Sequence, residues 1–374
     1  MIKKIVIKNK KYLLPIYLPD ATRAVVRGLD AADLKKIGIQ GVVVNTYHLM
    51  HQPGLAVLKK AGGVKGLMNF QGLMVSDSGG WQIFSTIKRV GSNLFGKITD
   101  EGVIFGFNNK KKEIFTPEKS IQTQFAIGSD ILICLDDFTA PNIEFKKIKE
   151  SVERTILWAK RSRIEFDKLV VKNKLTDKNR PLLFAVIQGG WDKDLRKYCA
   201  EELLKIGFDG YGYGGYTVNG KGEQDLKMAK FVAKLIPDKF PKFALGSGRL
   251  VDIARMREMG WQIFDCVLPT RDARHGRLYL IKKTALENPE KLKLKSSYQF
   301  LSIGRGKYAQ DLKSMDKNCD CLTCQKYSRA YLNHLFKIGD FGYYRLATIH
   351  NLRQYARLLK MVKAEYKITD NRRM

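Results

Sequence analysis

Short apolar runs recur along this chain, and each ends in a polar or glycine-rich cluster. The runs lie at 41–48, 73–80, 131–137, 182–190, 210–215, 243–248, 263–269 and, as a last candidate, 344–350. Such runs are typical of strands in a parallel sheet that is covered on both faces. The segments between them look helical; residues 145–166, for example, carry apolar side chains along one side. Eight such units predict an α/β fold, a (β/α)8 TIM barrel, with a doubly wound sheet as the alternative.

The alternation of strands and helices pauses between about 276 and 343. We therefore expect residues 1–275 to contain barrel strands 1–7 with an N-terminal extension. Residues 276–343 would form an insertion, and residues 344–374 would supply the last strand and a C-terminal helix. In a barrel, the polar clusters that follow the strands meet at one mouth, which is where the active sites of such barrels form.

The sequence holds 67 Lys and Arg residues against 37 Asp and Glu, which gives a formal charge of +30. Such an excess attracts polyanions, chiefly through phosphate contacts, and it favours a nucleic-acid substrate. A generally lysine-rich proteome is the alternative explanation. No apolar run is long enough to span a membrane, and the N-terminus lacks the pattern of a signal peptide. We expect a cytoplasmic protein with no membrane partner.

Three of the six cysteines are packed into Cys319-x-Cys321-x2-Cys324. Thiolates suit Zn²⁺, which prefers four tetrahedral ligands, so a fourth ligand is needed. His334 would lie too far along the helix that the following residues predict, whereas His350, at the end of the eighth apolar run, could fold back. We predict a structural zinc ion held by Cys319, Cys321, Cys324 and His350, in an insertion near the C-terminus. Three reduced cysteines without a metal are the alternative.

Acidic residues stand at the ends of several predicted strands, namely Asp77, Asp136, Asp137 and Asp265. Two carboxylates that face one reactive carbon allow nucleophilic attack with acid/base assistance, as in retaining glycoside chemistry. For any single aspartate, the competing explanation is a helix N-cap. Three arginines, Arg271, Arg274 and Arg277, follow Asp265 closely and suit phosphate or base contacts, or else form a solvated basic loop.

Together these motifs resemble the tRNA-guanine transglycosylases (queuine tRNA-ribosyltransferases) of the bacterial type. The matching segments are NTYHL (45–49), DSGGWQIFS (77–85), IGSDILICLDDFTAP (127–141), FAVIQGG (184–190), GFDGYGYGG (207–215), FDCVLPTRDARHG (264–276), CDCLTCQKYSRAYLNHL (319–335) and TIHNLR (348–353). They occur in the family's order and cover nearly the whole chain. The resemblance implies a (β/α)8 barrel with a zinc-binding insertion. It also implies a cytoplasmic homodimer that exchanges the wobble guanine of GUN-anticodon tRNAs for a 7-deazaguanine base.

The resemblance also implies roles for individual residues. Asp265 would be the nucleophile that attacks the anomeric carbon of the ribose, and Asp77 the general acid/base. Arg271 and Arg274 would contact the tRNA. The residues that would hold the purine base are Ser78, Trp81, Asp136, Gln188, Gly215 and Tyr216. The zinc ligands would be the four that the spacing of the cysteines predicts.

The chain departs from the family around the incoming base. Residues 216–220 read YTVNG, where the family has a loop that contains a glutamate, Phe138 replaces a smaller residue, and Asp137 replaces a glutamate. The aminomethyl base preQ1 is the expected substrate, and queuine and the cyano precursor are alternatives. Two further hypotheses are a related transglycosylase that inserts a deazaguanine into DNA and a non-catalytic tRNA-binding subunit.

Overall fold

The computed structural model describes residues 2–82, 94–107, 112–140, 143–215 and 223–370. Its central feature is an eight-stranded sheet in which neighbouring strands run parallel, in the order β3-β13-β12-β11-β10-β9-β5-β4. The barrel strands are β3 (Ile16–Pro19), β4 (Gly41–Val44), β5 (Leu73–Ser76), β9 (Ile131–Ile133), β10 (Leu182–Ile187), β11 (Gly210–Tyr213), β12 (Lys242–Ala244) and β13 (Ile263–Cys266). A parallel bridge between Asp20 and Val43 joins the two ends of the sheet. The predicted barrel is confirmed.

The predicted eighth strand at 344–350 is wrong, because these residues lie within a helix, Phe341–Asp370. No glycine or proline interrupts this helix after Gly342. Its residues 346–352 are all buried, so the helical alternation of apolar and polar residues is hidden and a short apolar run results. The remaining barrel strand is instead β3, near the N-terminus. Its four residues follow Pro15 and end at Pro19, and prolines argue against a strand when only the sequence is considered.

Helices cover the outside of the barrel and also form part of the predicted insertion. In the described residues they are α1 (Ala31–Ile37), α2 (Thr46–Leu49), α3 (Leu55–Lys60), α4 (Gly63–Met68), α5 (Pro117–Ile127), α6 (Phe145–Lys172), α7 (Lys193–Ile206), α8 (Leu226–Leu235), α9 (Leu250–Glu258), α10 (Leu268–Arg274), α11 (Lys283–Glu287), α12 (Leu322–Lys326), α13 (Arg329–Lys337) and α14 (Phe341–Asp370). A π-helical segment (Met50–Gly54) joins α2 to α3, and short 3-10 helices lie at Pro289–Lys293, Lys295–Ser297 and Gly306–Tyr308. None of the helices in this part of the chain is both long and apolar enough to cross a membrane.

Three small antiparallel sheets lie outside the barrel. They are the pairs β1 (Lys4–Ile7) with β2 (Lys10–Leu13) and β14 (Arg277–Ile281) with β15 (Tyr298–Ser302), and the three strands β6 (Leu94–Thr99), β7 (Gly102–Phe107) and β8 (Glu113–Phe115). The β1–β2 hairpin packs its apolar side chains against the residues inside the barrel. The β14–β15 hairpin lies in the predicted insertion. The proposed boundaries at 275 and 343 remain predictions.

Side chains of the barrel strands alternate between two cores, as the period of two in a strand requires. In β5, Leu73 and Val75 pack inside the barrel, whereas Met74 packs among the helices outside it. The same alternation holds in β10, where Phe184 and Val186 are inside and Ala185 is outside. Residues that continue the inner series past the end of a strand therefore point into the barrel mouth.

We expect Leu73→Ala to lower the free energy of unfolding by about 2–5 kcal/mol, because Leu73 is fully buried inside the barrel and its loss leaves a cavity. Leu13→Ala is the matched control, since Leu13 is half exposed. Urea unfolding followed by circular dichroism checks both variants. Equal stability losses in the two variants would contradict the assignment of Leu73 to the interior.

Candidate active site and metal centre

A cavity of about 630 Å³ opens at the carboxyl ends of the barrel strands. Seven of the residues expected at an active site line it, namely Asp77, Ser78, Trp81, Asp136, Gly215, Asp265 and Arg271. They come from four different strand ends and from helix α10. The barrel therefore brings together residues that are far apart in the sequence, as expected for a site at this mouth.

Asp77 continues the inner series of β5, since it lies two residues beyond the interior Val75. Its carboxylate accepts hydrogen bonds from Asn45 Nδ2 (2.8 Å), Thr46 N (3.1 Å) and Gly79 N (3.0 Å), and Gln82 Nε2 approaches to 3.2 Å. Burial raises the pKa of Asp77 to about 6, against the lowering effect of these hydrogen bonds. A carboxyl group with a pKa near neutrality can both donate and accept a proton under physiological conditions.

Asp265 lies in β13, two residues beyond the interior Ile263, and it points into the same cavity. The backbone N–H of Gly246 donates a hydrogen bond of 2.7 Å to Asp265 Oδ1. Burial raises the pKa of Asp265 to about 7, and the negative charges of Asp77 and Asp20 contribute to the increase. A pair of carboxyl groups with raised pKa values in one cleft is a common mark of a catalytic site.

The ends of β9, β10 and β11 carry groups that suit a purine edge. Gln188 Nε2 donates a hydrogen bond of 2.6 Å to Asp136 Oδ2. Burial raises the pKa of Asp136 to about 6. Gln188 Oε1 is buried and has no hydrogen-bond partner among the residues that the structure describes. Gly215 has a φ of +89°, and a Cβ atom there would lie 3.2 Å from Gln188 Oε1, so glycine permits the close approach.

Asp137 does not line the cavity, although its position after a strand suggested that it would. Arg154 Nη1 donates a hydrogen bond of 2.5 Å to Asp137 Oδ2, and Thr155 Oγ1 lies 3.0 Å from the Asp137 amide nitrogen. Asp136 and Asp137 are adjacent in an irregular segment after β9, so only one of them points into the mouth. Through these two hydrogen bonds, Asp137 instead links this segment to helix α6.

An aromatic pair lies at the edge of the cavity. The rings of Trp81 and Phe138 meet edge to face, with their centroids 4.4 Å apart, and both residues line the cavity. Trp81 is 42% exposed, so its ring remains accessible to a ligand. Tyr216 and the loop at 216–220, where the family's glutamate is missing, lie outside the described residues.

The expected tRNA-contacting arginines lie on helix α10, which follows Asp265. Arg271 is half exposed and lines the cavity. Arg274 lies about one helical turn further along, and its Nη1 donates to the Thr270 carbonyl oxygen at 3.1 Å. Arg277 lies beyond this helix, with its guanidinium carbon 4.0 Å from the centre of the Phe300 ring. Arg271 and Arg274 therefore form a basic edge on helix α10, with Arg271 at the cavity, whereas Arg277 packs on Phe300 and does not line it.

A second cluster lies between the insertion and helix α14. The four predicted ligands, Cys319, Cys321, Cys324 and His350, are buried, and their ligand atoms lie within 4.8 Å of one another. His350 Nδ1 lies 3.2 Å from Cys324 Sγ and 3.6 Å from Cys321 Sγ. These four residues could hold a metal ion, as predicted, and His334 does not take part.

The second nitrogen of His350 fixes the orientation of the ring. His350 Nε2 lies 2.7 Å from the Tyr279 carbonyl oxygen, so it must carry the proton in that hydrogen bond. Nδ1 then presents its lone pair towards the thiols, as a metal ligand requires.

Comparison with known proteins identifies the family of this chain. The family model for "Queuine tRNA-ribosyltransferase" matches residues 2–372. This chain belongs to the queuine tRNA-ribosyltransferase family. The match confirms the family resemblance and, with it, the expected class of enzyme, a tRNA-guanine transglycosylase.

Curated relatives with the same name are similar over most of their length. The relative from Actinobacillus pleuropneumoniae serotype 3 is 37% identical over 350 residues, which are 93% of this chain and 84% of the relative. The relative from Blochmanniella floridana is 36% identical over 361 residues, covering 96% of this chain and 88% of its own. The relative from Methylacidiphilum infernorum is 36% identical over a region that covers 94% of this chain and 87% of the relative.

One residue of the mouth escaped prediction from the sequence. Asp20 lines the cavity and follows β3, the strand that the apolar runs did not reveal. It lies two residues beyond the interior Leu18, as Asp77 lies beyond Val75. The alternation of Ile16, Leu18 and Asp20 is the signal that could have identified it.

Buried carboxylates should make this family member less stable at high pH. The pKa of Asp265 is about 7 in the folded protein, against about 3.9 in an unfolded chain, so the folded state loses stability as the pH rises between these values. We expect Asp265→Asn to raise the free energy of unfolding at pH 8, by an amount on the order of 2–4 kcal/mol. The gain should shrink towards pH 5. Urea unfolding at both pH values measures it.

Asp177→Asn is the control for this experiment. The hydrogen bond from Arg180 lowers the pKa of Asp177, so the ionised form is favoured in the folded protein. This substitution should not stabilise the protein at pH 8. An Asp265→Asn variant that is equally stable to wild type at both pH values would show that Asp265 is not buried as an unfavourable charge.

Proposed function

We propose that this protein exchanges the wobble guanine of GUN-anticodon tRNAs for a 7-deazaguanine base, in the pathway to queuosine. PreQ1 is the proposed incoming base, with queuine as the alternative. The observation that carries the proposal is the arrangement of the mouth. Asp77 and Asp265 face one cavity with pKa values near 6 and 7, and Asp136 and Gln188 present hydrogen-bonding groups in the same region.

In the first half of the reaction, ionised Asp265 attacks the anomeric carbon of the ribose. The bond between that carbon and guanine N9 breaks, and a ribosyl ester of Asp265 forms. The departing guanine carries the electron pair of the broken bond, so protonation at the base lowers the barrier. Asp77, which is hydrogen-bonded in place and has a pKa near 6, can supply that proton.

In the second half, the deazaguanine base takes the position that guanine has left. Asp77, now ionised, removes the proton from its five-membered ring, and the ring nitrogen attacks the anomeric carbon. The ester bond to Asp265 breaks, and the carboxylate is regenerated. One N-glycosidic bond replaces another, so the exchange needs no external energy source. The two halves are separate steps on the enzyme, which gives ping-pong kinetics.

Base recognition is proposed for Asp136, Gln188 and the Gly215 amide, with Ser78 assisting. A guanine-like base offers N–H donors and a carbonyl acceptor along one edge, and these complement a carboxylate and N–H groups. The unpartnered, buried Gln188 Oε1 supports this proposal, because an unsatisfied buried oxygen is costly unless a ligand or water approaches it. Trp81 can stack on a base that has been turned out of the anticodon loop.

The formal charge of +30 and the basic edge formed by Arg271 and Arg274 support an RNA polyanion as the second substrate. Phosphate contacts position a nucleic acid without reading its sequence. Variants of the two aspartates should therefore retain most of their affinity for tRNA.

Exchange of radiolabelled guanine into purified tRNA tests the proposal. Asp265→Asn should abolish exchange, since an amide cannot attack the anomeric carbon. Asp77→Asn should lower turnover by about 10²–10⁴-fold, because the nucleophile remains but the proton transfer is lost. Binding of tRNA, measured by filter retention, should change little in either variant.

Three outcomes of this assay would contradict the proposal. Duplex DNA of matching sequence should show no exchange; exchange into DNA alone would replace the proposed substrate. Full exchange by Asp265→Asn would exclude a covalent step at this residue. Tight binding of tRNA without any exchange by the wild-type protein would instead indicate a non-catalytic binding subunit. Competition between preQ1 and queuine then identifies the base.

The metal proposed for the second cluster is Zn²⁺. Three thiolates and one imidazole are a donor set that suits zinc, and the four groups approach closely enough to share one ion. Four protein ligands leave no position for substrate, so the ion would be structural. It would tie the segment 319–324 to helix α14, which also packs against the barrel.

We expect Cys321→Ser to release the zinc and lower the melting temperature, because the metal links two segments distant in sequence. Metal content per chain, measured by plasma mass spectrometry, should fall from about one to near zero. Cys134→Ala is the matched control, since Cys134 is buried in the barrel away from the cluster, and it should retain its metal. Metal-free protein with an unchanged melting temperature would exclude a structural role.

A further inference from the structure

Asp20 is a carboxylate of the mouth that the proposed reaction does not use. It follows β3, and in the pairing of β3 with β13 Leu18 lies beside Asp265 and Pro19 beside Cys266. Asp20 itself bridges to Val43 and lines the cavity. It is therefore a neighbour of the proposed nucleophile.

The order of the strands places Asp20 on the side of the mouth where the ribose of the substrate would lie. Gln188 follows β10, and three strands separate β3 from β10 in either direction around the barrel. Asp136 and Gly215 follow the strands on either side of β10. The groups proposed to hold the base are thus grouped opposite β3, while Asp265, which would attack the sugar, belongs to the strand adjacent to β3. A nucleotide with its base at Gln188 and its anomeric carbon at Asp265 directs its ribose towards Asp20.

The carboxylate of Asp20 is held in place by its own loop. Its Oδ1 accepts hydrogen bonds from the Thr22 amide, at 3.1 Å, and from the Thr22 hydroxyl. No hydrogen bond to Oδ2 is made by the residues that the structure describes. A half-buried acceptor that is already oriented at a substrate cavity suits a donor from the substrate.

Only one group of an RNA ribose can donate that hydrogen bond. The 3′ and 5′ oxygens of an internal nucleotide are esterified to phosphates, which a carboxylate repels. The base lies on the other side of the mouth. The 2′-hydroxyl remains, and it is also the group that distinguishes RNA from DNA.

We infer that Asp20 accepts a hydrogen bond from the 2′-hydroxyl of the nucleotide whose base is exchanged, and so makes the enzyme selective for RNA. This inference rests on the proposed function. Asp20 would act on the reaction as well as on binding. Positive charge develops on the sugar as its glycosidic bond breaks, and hydrogen bonds to the 2-hydroxyl of a sugar strengthen in such transition states.

The charges around Asp20 are consistent with this role. Its negative charge raises the pKa values of Asp77 and Asp265 and acts on Arg274 on helix α10. An added carboxylate beside two others is unfavourable for the unliganded protein. A hydrogen bond to the substrate is a compensating interaction that forms only in the complex.

The test compares two anticodon stem-loop RNAs that differ at one atom. One has guanosine at the target position, and the other has 2′-deoxyguanosine there with ribose at all other positions. We expect wild-type kcat/KM for guanine exchange to fall by about 10–100-fold on removal of the hydroxyl, the size of a hydrogen bond to a charged group. A 2′-fluoro substrate, which cannot donate and whose fluorine also withdraws electrons from the developing positive charge, should react more slowly still.

Asp20→Ala should remove this discrimination, so that both RNAs react at the slower rate. Asp20→Asn retains an acceptor without the charge and should show an intermediate ratio. General damage to the fold would slow both substrates by the same factor and leave the ratio at its wild-type value. A stem-loop with deoxyribose only at the two flanking positions is the substrate control. It keeps the target hydroxyl, so the ratio of its kcat/KM to that of the all-ribose RNA should be the same in the wild type and in Asp20→Ala.

Two results would overturn the inference. One is equal kcat/KM for the two RNAs with the wild-type enzyme, which needs no variant to fold. The other is a wild-type penalty that persists in Asp20→Ala, or that moves to a flanking position. Absence of exchange into either RNA by the wild-type enzyme is a different outcome, since it refutes the proposed function itself.

Discussion

Closure of the parallel sheet is the constraint on which the site depends. The bridge between Asp20 and Val43 joins the first and last strands of the sheet, so eight carboxyl ends meet around one mouth. Asp77, Gln188 and Asp265 each lie two residues beyond an interior apolar residue, and the alternation of the strands directs all three inwards. The alternation that packs apolar side chains inside the barrel therefore also directs the polar residues after each strand into the mouth.

Burial at this mouth has two opposite consequences. Desolvation raises the pKa values of Asp77, Asp136 and Asp265 towards neutrality, which suits proton transfer but disfavours their ionised forms. Hydrogen bonds from Asn45 and from the Gly246 amide oppose the shift and hold the carboxylates in position. Ionised carboxylates at this mouth are therefore electrostatically costly before substrate binds. A hydrogen bond from a hydroxyl of the ribose would relieve part of that cost.

The sequence predicted the barrel and the metal cluster because both leave local signals: buried parallel strands form apolar runs, and zinc ligands cluster as closely spaced cysteines. The predictions failed where one sequence pattern is compatible with two different secondary structures. Residues 344–350 are apolar because helix α14 is buried on several sides, not because they form a strand. Prolines at both ends concealed β3, and Asp20 was missed with it. The sequence alone could not show that Asp136 lines the cavity whereas Asp137 does not. Asp137 binds Arg154 of helix α6, a residue that only folding brings near.

The most direct test of covalent catalysis is to locate the ribose on the enzyme. Wild-type protein is mixed with an anticodon stem-loop and a slowly reacting base analogue, quenched in denaturant, and digested for peptide mass spectrometry. A ribosyl ester on the peptide that contains Asp265, absent from the Asp265→Asn variant, is the predicted result. An adduct on Asp77 would reverse the two roles. Rapid exchange with no adduct at any residue would contradict the covalent mechanism.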